Sequence, residues 1–179
     1  MASGILQKVT AWDGRLFERV FDNAHRRFWK AFFRVLSHSA ESYSFLILGF
    51  LGVLLRPETL PWVMAGMIGF ALELSAYYLL KKNIKRPRPF VQRPNVHFHI
   101  VPPDEFSFPS GHTGAAFLMA VLISGAFPFL MVPAVLWACL VGFSRVFLGV
   151  HYPTDVVAGM VLGVSSAFAG IHWVHSLLS

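Results

Sequence analysis

Apolar residues along this chain gather into long runs, and polar residues into short stretches between them. From Leu60 to Leu80 the run is broken by little more than Glu73 and Ser75. A helix needs about 20 apolar residues to cross the hydrocarbon core of a bilayer, and this run supplies them. Glu41–Leu55, Thr113–Phe127, Phe129–Phe147 and Thr154–Leu177 read in the same way, with Arg56-Pro57 and Pro128 as punctuation. Glu41–Leu55 is short for a span unless residues before it contribute. The pattern predicts about five spans.

The N-terminal pattern differs. Leu16, Val20, Ala24, Phe28, Phe32 and Val35 recur every three or four positions, with Arg15, Arg19, Arg26, Arg27, Lys30 and Arg34 interspersed. Thr10-Ala11-Trp12-Asp13 has the form of a capping box with Asp in place of Glu or Gln. Together these predict a basic, aromatic helix over residues 10–36, lying in the membrane interface. Packing on another protein is the alternative. The expected fold class is all-α: a polytopic transmembrane helical bundle plus an N-terminal interfacial amphipathic helix, forming one domain over residues 1–179. Residues 81–112 follow neither pattern. They form a long loop rich in Pro, Arg and His, and loops of this length are more often functional than mere spacers.

Composition agrees. Hydrophobic residues make up 55% of the chain and charged residues only 13%, which excludes an ordinary soluble domain. The net charge of +6 fits anchoring to anionic lipid. No basic run carries a nucleic-acid motif, so no nucleic-acid partner is expected. The single cysteine, Cys139, excludes an internal disulfide and a cysteine metal cluster. The first forty residues lack the apolar core of a cleavable signal peptide.

Tracing the spans brings three polar stretches to one membrane face. The second span delivers Lys81 there, and the third leaves from His112. The fourth returns Arg145, and the fifth leaves from His151. His151 and Asp155 are four apart at an expected helix start, so a carboxylate there can fix the imidazole tautomer. Alone, such a pair can equally be a helix cap. Ser110-Gly111-His112 precedes an apolar helix, whose free N–H groups and dipole suit an anion. His112 there suits a general acid, although a polar cap reads equally well. Arg88, Arg145 and Lys81 suit phosphoryl oxygens, or could be snorkelling anchors. Lys82, Lys85, Arg86 and Arg93 read as such anchors or as headgroup contacts. The combination of cations, histidines and an anion-binding helix start favours phosphate chemistry.

Lys81 through Arg88-Pro89, Pro109-Ser110-Gly111-His112, and Ser144-Arg145 through His151 to Asp155 resemble, in order and spacing, the three signatures of the type 2 phosphatidic acid phosphatase superfamily. The resemblance implies metal-independent hydrolysis of a lipid phosphate monoester or diphosphate, without a cofactor, through a phosphohistidine. It implies His151 as nucleophile, Asp155 as its orienter and His112 as acid. It assigns Lys81, Arg88, Ser110, Gly111 and Arg145 to phosphate binding. The soluble vanadium haloperoxidases share the signatures, but the apolar spans point to the membrane branch. Membrane members commonly have six spans.

The implied partners are a membrane lipid phosphate and the bilayer. A lipid phosphotransferase and a non-enzymatic lipid-phosphate carrier are the competing readings. Bacterial members generally place the site outside the cytoplasm, which implies a multi-pass protein of the plasma (inner) membrane with an extracytoplasmic site. Against this, every Lys and Arg except Arg56 falls on the active-site side if the N-terminal helix lies there, and the positive-inside rule would make that side cytoplasmic. Glu73, deep in a span, is expected to make an interhelical hydrogen bond. His97, His99, Asp104 and Glu105 could suggest a metal site, but the family signatures need no metal, and these residues are candidates for touching the headgroup; His172 and His175 lie at the far end.

Overall fold

The computed structural model describes residues 2–21, 27–93, 100, 102 and 104–179. The predicted pattern positions Ala24 and Arg26, and the loop histidines His97 and His99, lie outside the described residues. The helices are α1 (Ala2–Phe21), α2 (Arg27–His38), α3 (Ser42–Leu55), α4 (Leu60–Ile84), the short α5 (Pro89–Gln92), α6 (Gly111–Ala126), α7 (Met131–Phe147) and α8 (Pro153–Leu178). The fold class is the all-α membrane bundle expected from sequence.

Among the described residues, three helical stretches are long and apolar enough to cross a membrane: Pro57–Ile84, Pro128–Phe147 and Pro153–Leu178. Arg27–His38 and Tyr43–Leu55 pass that test only as a pair, bent by 57°. The expected third span is a helix of 16 residues, which rises only about 24 Å. It is enclosed by α4, α7 and α8, so lipid does not set its length. Leu46, Phe50, Leu55, Met67, Phe129 and Phe168 stay exposed on the outside of the bundle, where acyl chains would cover them.

Small residues bring α8 into backbone contact with its neighbours. A Cβ added at Gly163 would lie 2.0 Å from the Gly114 carbonyl oxygen, and one at Gly170 would lie 2.2 Å from that of Ala65. Packing of this kind replaces the hydrophobic drive that lipid removes. It also sets the N-terminal ends of α6 and α8 side by side, where the Ser110 N–H donates to the Asp155 carbonyl at 3.0 Å.

The N-terminal region corrects the sequence reading. Its first helix begins at Ala2, so Thr10–Asp13 lies inside α1 rather than capping it. Asp13 is fully buried, because its carboxylate bonds groups in α8 and in the loop after α4. Phe17 meets Tyr152 edge-on at 5.6 Å, and Phe33 packs on Phe147 at 4.5 Å. Trp12, Phe28 and Val35 still face outward. One side of these helices is thus fastened to the bundle, and the other presents an apolar aromatic surface.

Candidate active site

Each polar stretch sits where a helix of the bundle starts or stops. Lys81 is in the last turns of α4, and Lys85, in a left-handed conformation, ends that helix. Residues 86–88 then run antiparallel to 106–107, through a bridge between Pro87 and Phe106 and the Ser107 N–H to Arg86 carbonyl bond of 2.8 Å. Ser110 is the N-cap of α6, with Gly111 and His112 in its first turn. Arg145 is in the last turn of α7, and Gly149, at φ 82°, turns the chain back towards α8.

His151 is buried just before the N-cap of α8, which is Tyr152. Its Nδ1 lies 2.6 Å from the Ser107 carbonyl oxygen. A carbonyl only accepts, so Nδ1 carries the proton and Nε2 keeps its lone pair. Nε2 faces Nη1 of Arg88 at 3.5 Å. Burial, reinforced by the charges of Arg88, Arg145 and Lys81, holds the imidazole pKa well below its ordinary 6.5. The ring is therefore neutral, as a nitrogen nucleophile must be.

The relation of His151 to Asp155 differs from that expected. His151 precedes the helix, whereas Asp155 is in its first turn, and Asp155 Oδ2 lies 3.8 Å from Nδ1, beyond hydrogen-bond reach. Oδ2 instead accepts the Tyr152 N–H at 2.8 Å, and Oδ1 accepts from Nη1 of Arg86 at 2.7 Å. Asp155 thus braces the backbone beside His151 and places a negative charge near the ring. Arg86, expected as a surface anchor, is part of this buried network. Arg93 pairs with Glu18, whereas Lys82 and Lys85 stay exposed.

The three cations assigned to phosphate binding are buried. Arg88 donates from Nη1 to the Val150 carbonyl at 2.8 Å and from Nη2 to Asp104 Oδ1 at 2.5 Å. Nζ of Lys81 lies 2.7 Å from Asp104 Oδ2, which also accepts from the Tyr77 hydroxyl at 2.6 Å. Burial alone would raise the Asp104 pKa. The hydrogen bonds from Lys81 and Tyr77, with the charges of Lys81 and Arg88, outweigh it and bring the value down to about 2. Asp104 is thus an ionised carboxylate held by the cations. Sequence reasoning gave it only a headgroup contact. An acid in the loop between Lys81 and His112 was the one signal of its role.

Arg145 donates from Nη1 to Ser37 of α2, while its buried Nε has no hydrogen-bond partner among the described residues. An unspent buried guanidinium donor suits an anion. The Ser110 and Thr113 hydroxyls bond each other at 2.8 Å. Tyr77 packs so closely on Gly111 that a Cβ there would lie 2.9 Å from its ring. Ser144, within the third stretch, bonds the Val141 carbonyl of its own helix. Glu73 is buried against Gly114, but among the described residues its Oε1 has no partner for the expected hydrogen bond. His172 and His175 are in the closing turns of α8, at the other end of that helix from Asp155. Among the described residues no cluster of His, Cys, Asp or Glu could hold a metal.

Residues 59–178 match the family model of the PAP2 superfamily. The chain is 36% identical over 138 residues to a decaprenylphosphoryl-5-phosphoribose phosphatase of Mycobacterium tuberculosis, covering 74% of this chain and 73% of that protein. It is 36% identical over 104 residues to undecaprenyl-diphosphatase BcrC of Bacillus subtilis, covering 58% of this chain and 53% of that one. The fold is similar to the crystal structure of Aquifex aeolicus LpxE, with a TM-score of 0.75 at 28% identity, covering 88% of this chain and 93% of that one. It is also similar to a PAP2-type phosphatidylglycerolphosphate phosphatase from Bacillus subtilis, with a TM-score of 0.77 at 25% identity, covering 94% and 87%.

Proposed function

The chain belongs to the PAP2 superfamily, and on that premise we propose that its substrate is a polyprenyl-linked phosphate presented at the outer face of the plasma membrane. It is a multi-pass membrane enzyme, a phosphatase that hydrolyses a lipid phosphate monoester or diphosphate through a phosphohistidine. The polyprenyl assignment is supported by the two bacterial relatives whose names carry a polyprenyl group.

The observation that carries the mechanism is the His151 ring, held at Nδ1 by the Ser107 carbonyl with Nε2 facing Arg88. Nε2 attacks phosphorus, and a nitrogen–phosphorus bond forms as the bond to the lipid oxygen breaks. His112, at the start of α6, gives its proton to that oxygen. Lys81, Arg88 and Arg145, with the Ser110 hydroxyl and the Gly111 N–H at the start of α6, hold the phosphoryl oxygens as their charge redistributes. Water then attacks phosphorus and returns a proton to His112. The nitrogen–phosphorus bond breaks, and inorganic phosphate and free His151 are released. Asp155 stabilises the positive charge that grows on the ring during attack. These cations do the electrostatic work often given to a metal, so activity should persist in excess chelator.

Phosphate release by the purified protein tests the substrate class. The panel is a decaprenyl-linked phosphate ester, undecaprenyl diphosphate, phosphatidic acid, phosphatidylglycerophosphate and glycerol phosphate. The polyprenyl compounds should turn over fastest and glycerol phosphate slowest. Preference for a diacylglycerol lipid would overturn the polyprenyl assignment, and equal turnover of glycerol phosphate would overturn lipid selectivity. For orientation, Lys82→Cys in a Cys139→Ser background should react with an impermeant maleimide in intact cells. Labelling only after lysis would place the site inside.

A further inference from the structure

Asp13 lies on α1, outside the residues that match the family model. It is fully buried. Oδ1 accepts the Thr154 N–H at 3.0 Å, and Oδ2 accepts from Nη2 of Arg86 at 2.5 Å and from the Thr154 hydroxyl. The other arm of the same guanidinium, Nη1, donates to Asp155 Oδ1 and to Thr154 Oγ1, both at 2.7 Å. The Tyr152 ring lies against the guanidinium, 4.1 Å from its carbon to the ring centroid. One cation is thus shared between two buried carboxylates, one on the N-terminal helix and one beside His151.

The sharing has an electrostatic consequence. Arg86 paired with Asp155 alone would be neutral, and little negative potential would remain at the ring. The cations Arg88, Arg145 and Lys81 also act on that ring. All of them oppose the positive charge that attack places on His151. Asp155, 3.8 Å from Nδ1, is the carboxylate that favours it. A second carboxylate on Arg86 leaves the trio of Asp13, Arg86 and Asp155 with a surplus negative charge, part of it directed at His151. The fork also fixes Asp155, because each terminal nitrogen is committed to a different carboxylate.

We propose that Asp13 and Arg86 are positioning residues for phosphoryl transfer: Arg86 fixes Asp155 beside His151, and Asp13 restores the negative charge that Arg86 would otherwise cancel. The inference rests on the reading of His151 as nucleophile. It gives the N-terminal helix a part in the chemistry as well as in docking to the bundle.

A purely structural clamp and this role separate in Asp13→Asn. Asn keeps the size and can still accept the Thr154 N–H, but lacks the charge. In the full chain in lipid nanodiscs, the rate of phosphoenzyme formation should fall on the order of tenfold, with KM changed by less than about twofold. A wild-type rate in Asp13→Asn would overturn the proposal. Should Asp13→Asn fail to fold, Arg86→Lys carries the test. Its single ammonium keeps the charge but cannot fork to both carboxylates, so the rate should fall with KM held, and a wild-type rate would count against the role. Phosphoryl label on a residue other than His151 in the wild type would remove the underlying reading. Label on His151 with an unimpaired Asp13→Asn would remove this inference alone.

Discussion

Nδ1 of His151 is 2.6 Å from the carbonyl oxygen of Ser107, closer than its 3.8 Å to Asp155. The backbone thus fixes the tautomer, and the carboxylate contributes charge. In a triad whose carboxylate fixes the tautomer, the amide substitution costs roughly 10⁴ in rate. Here Asp155→Asn should cost less, on the order of 10², because the ring stays correctly protonated. Single-turnover phosphorylation measures it, with KM as a check that the phosphate site survives. A loss as large as that of His151→Ala would show that Asp155 sets the tautomer after all.

Asp104 occupies Lys81 and Arg88, the side chains assigned to the substrate phosphate. An incoming phosphate must compete with that carboxylate. Asp104→Asn should therefore strengthen competitive inhibition by inorganic phosphate, by on the order of tenfold for the loss of a charged partner. Weaker inhibition by phosphate would mean that Asp104 instead holds the cations in their working positions.

The pH dependence follows from His151. Its folded pKa lies well below 6.5, so the proposed nucleophile stays neutral in the free enzyme at pH 6.5. The acid limb of kcat/KM should fall well below that value. Stability has the same sign. Between the two pKa values the unfolded chain binds a proton that the folded chain does not. Folding is therefore unaffected by this group above pH 6.5 and progressively weakened as pH falls below it. An acid limb centred at 6.5, matched by an NMR titration of the His151 ring at the same pH, would contradict the neutral buried ring.

Gly163 meets the backbone of α6 directly. Gly163→Ala must push α8 away or bend it, at a cost of about 1–3 kcal/mol. Because that contact sets Asp155 beside Ser110, activity should fall together with the melting temperature in detergent. A variant that melts like the wild type would show that the two helices separate at no cost.

Much of the site was legible because its residues lie at helix ends. Runs of apolar residues locate Lys81, His112 and Arg145, and counting membrane crossings brings them to one face. What escaped was non-local pairing. Nothing near Asp13 announces Arg86 and Thr154 as its partners, and nothing near Ser37 announces Arg145. Thr10–Asp13 also has the form of a cap, and local form outweighed the unseen tertiary contact. His151 and Asp155 are four apart, which suggested one helix face, but Pro153 starts the helix between them. The shortness of α6 escaped for a related reason. Hydropathy measures apolar length without distinguishing burial by lipid from burial by protein.

The central claim is that His151 becomes covalently phosphorylated. Its most direct test is rapid quenching with a radiolabelled lipid phosphate under alkaline conditions, where phosphohistidine survives, followed by mapping of the label. The label should lie on His151. It should be absent from His151→Ala and should still form in His112→Ala with a leaving group that departs unprotonated, such as p-nitrophenolate. Label on His112, or direct transfer to water with inversion at phosphorus, would contradict the account.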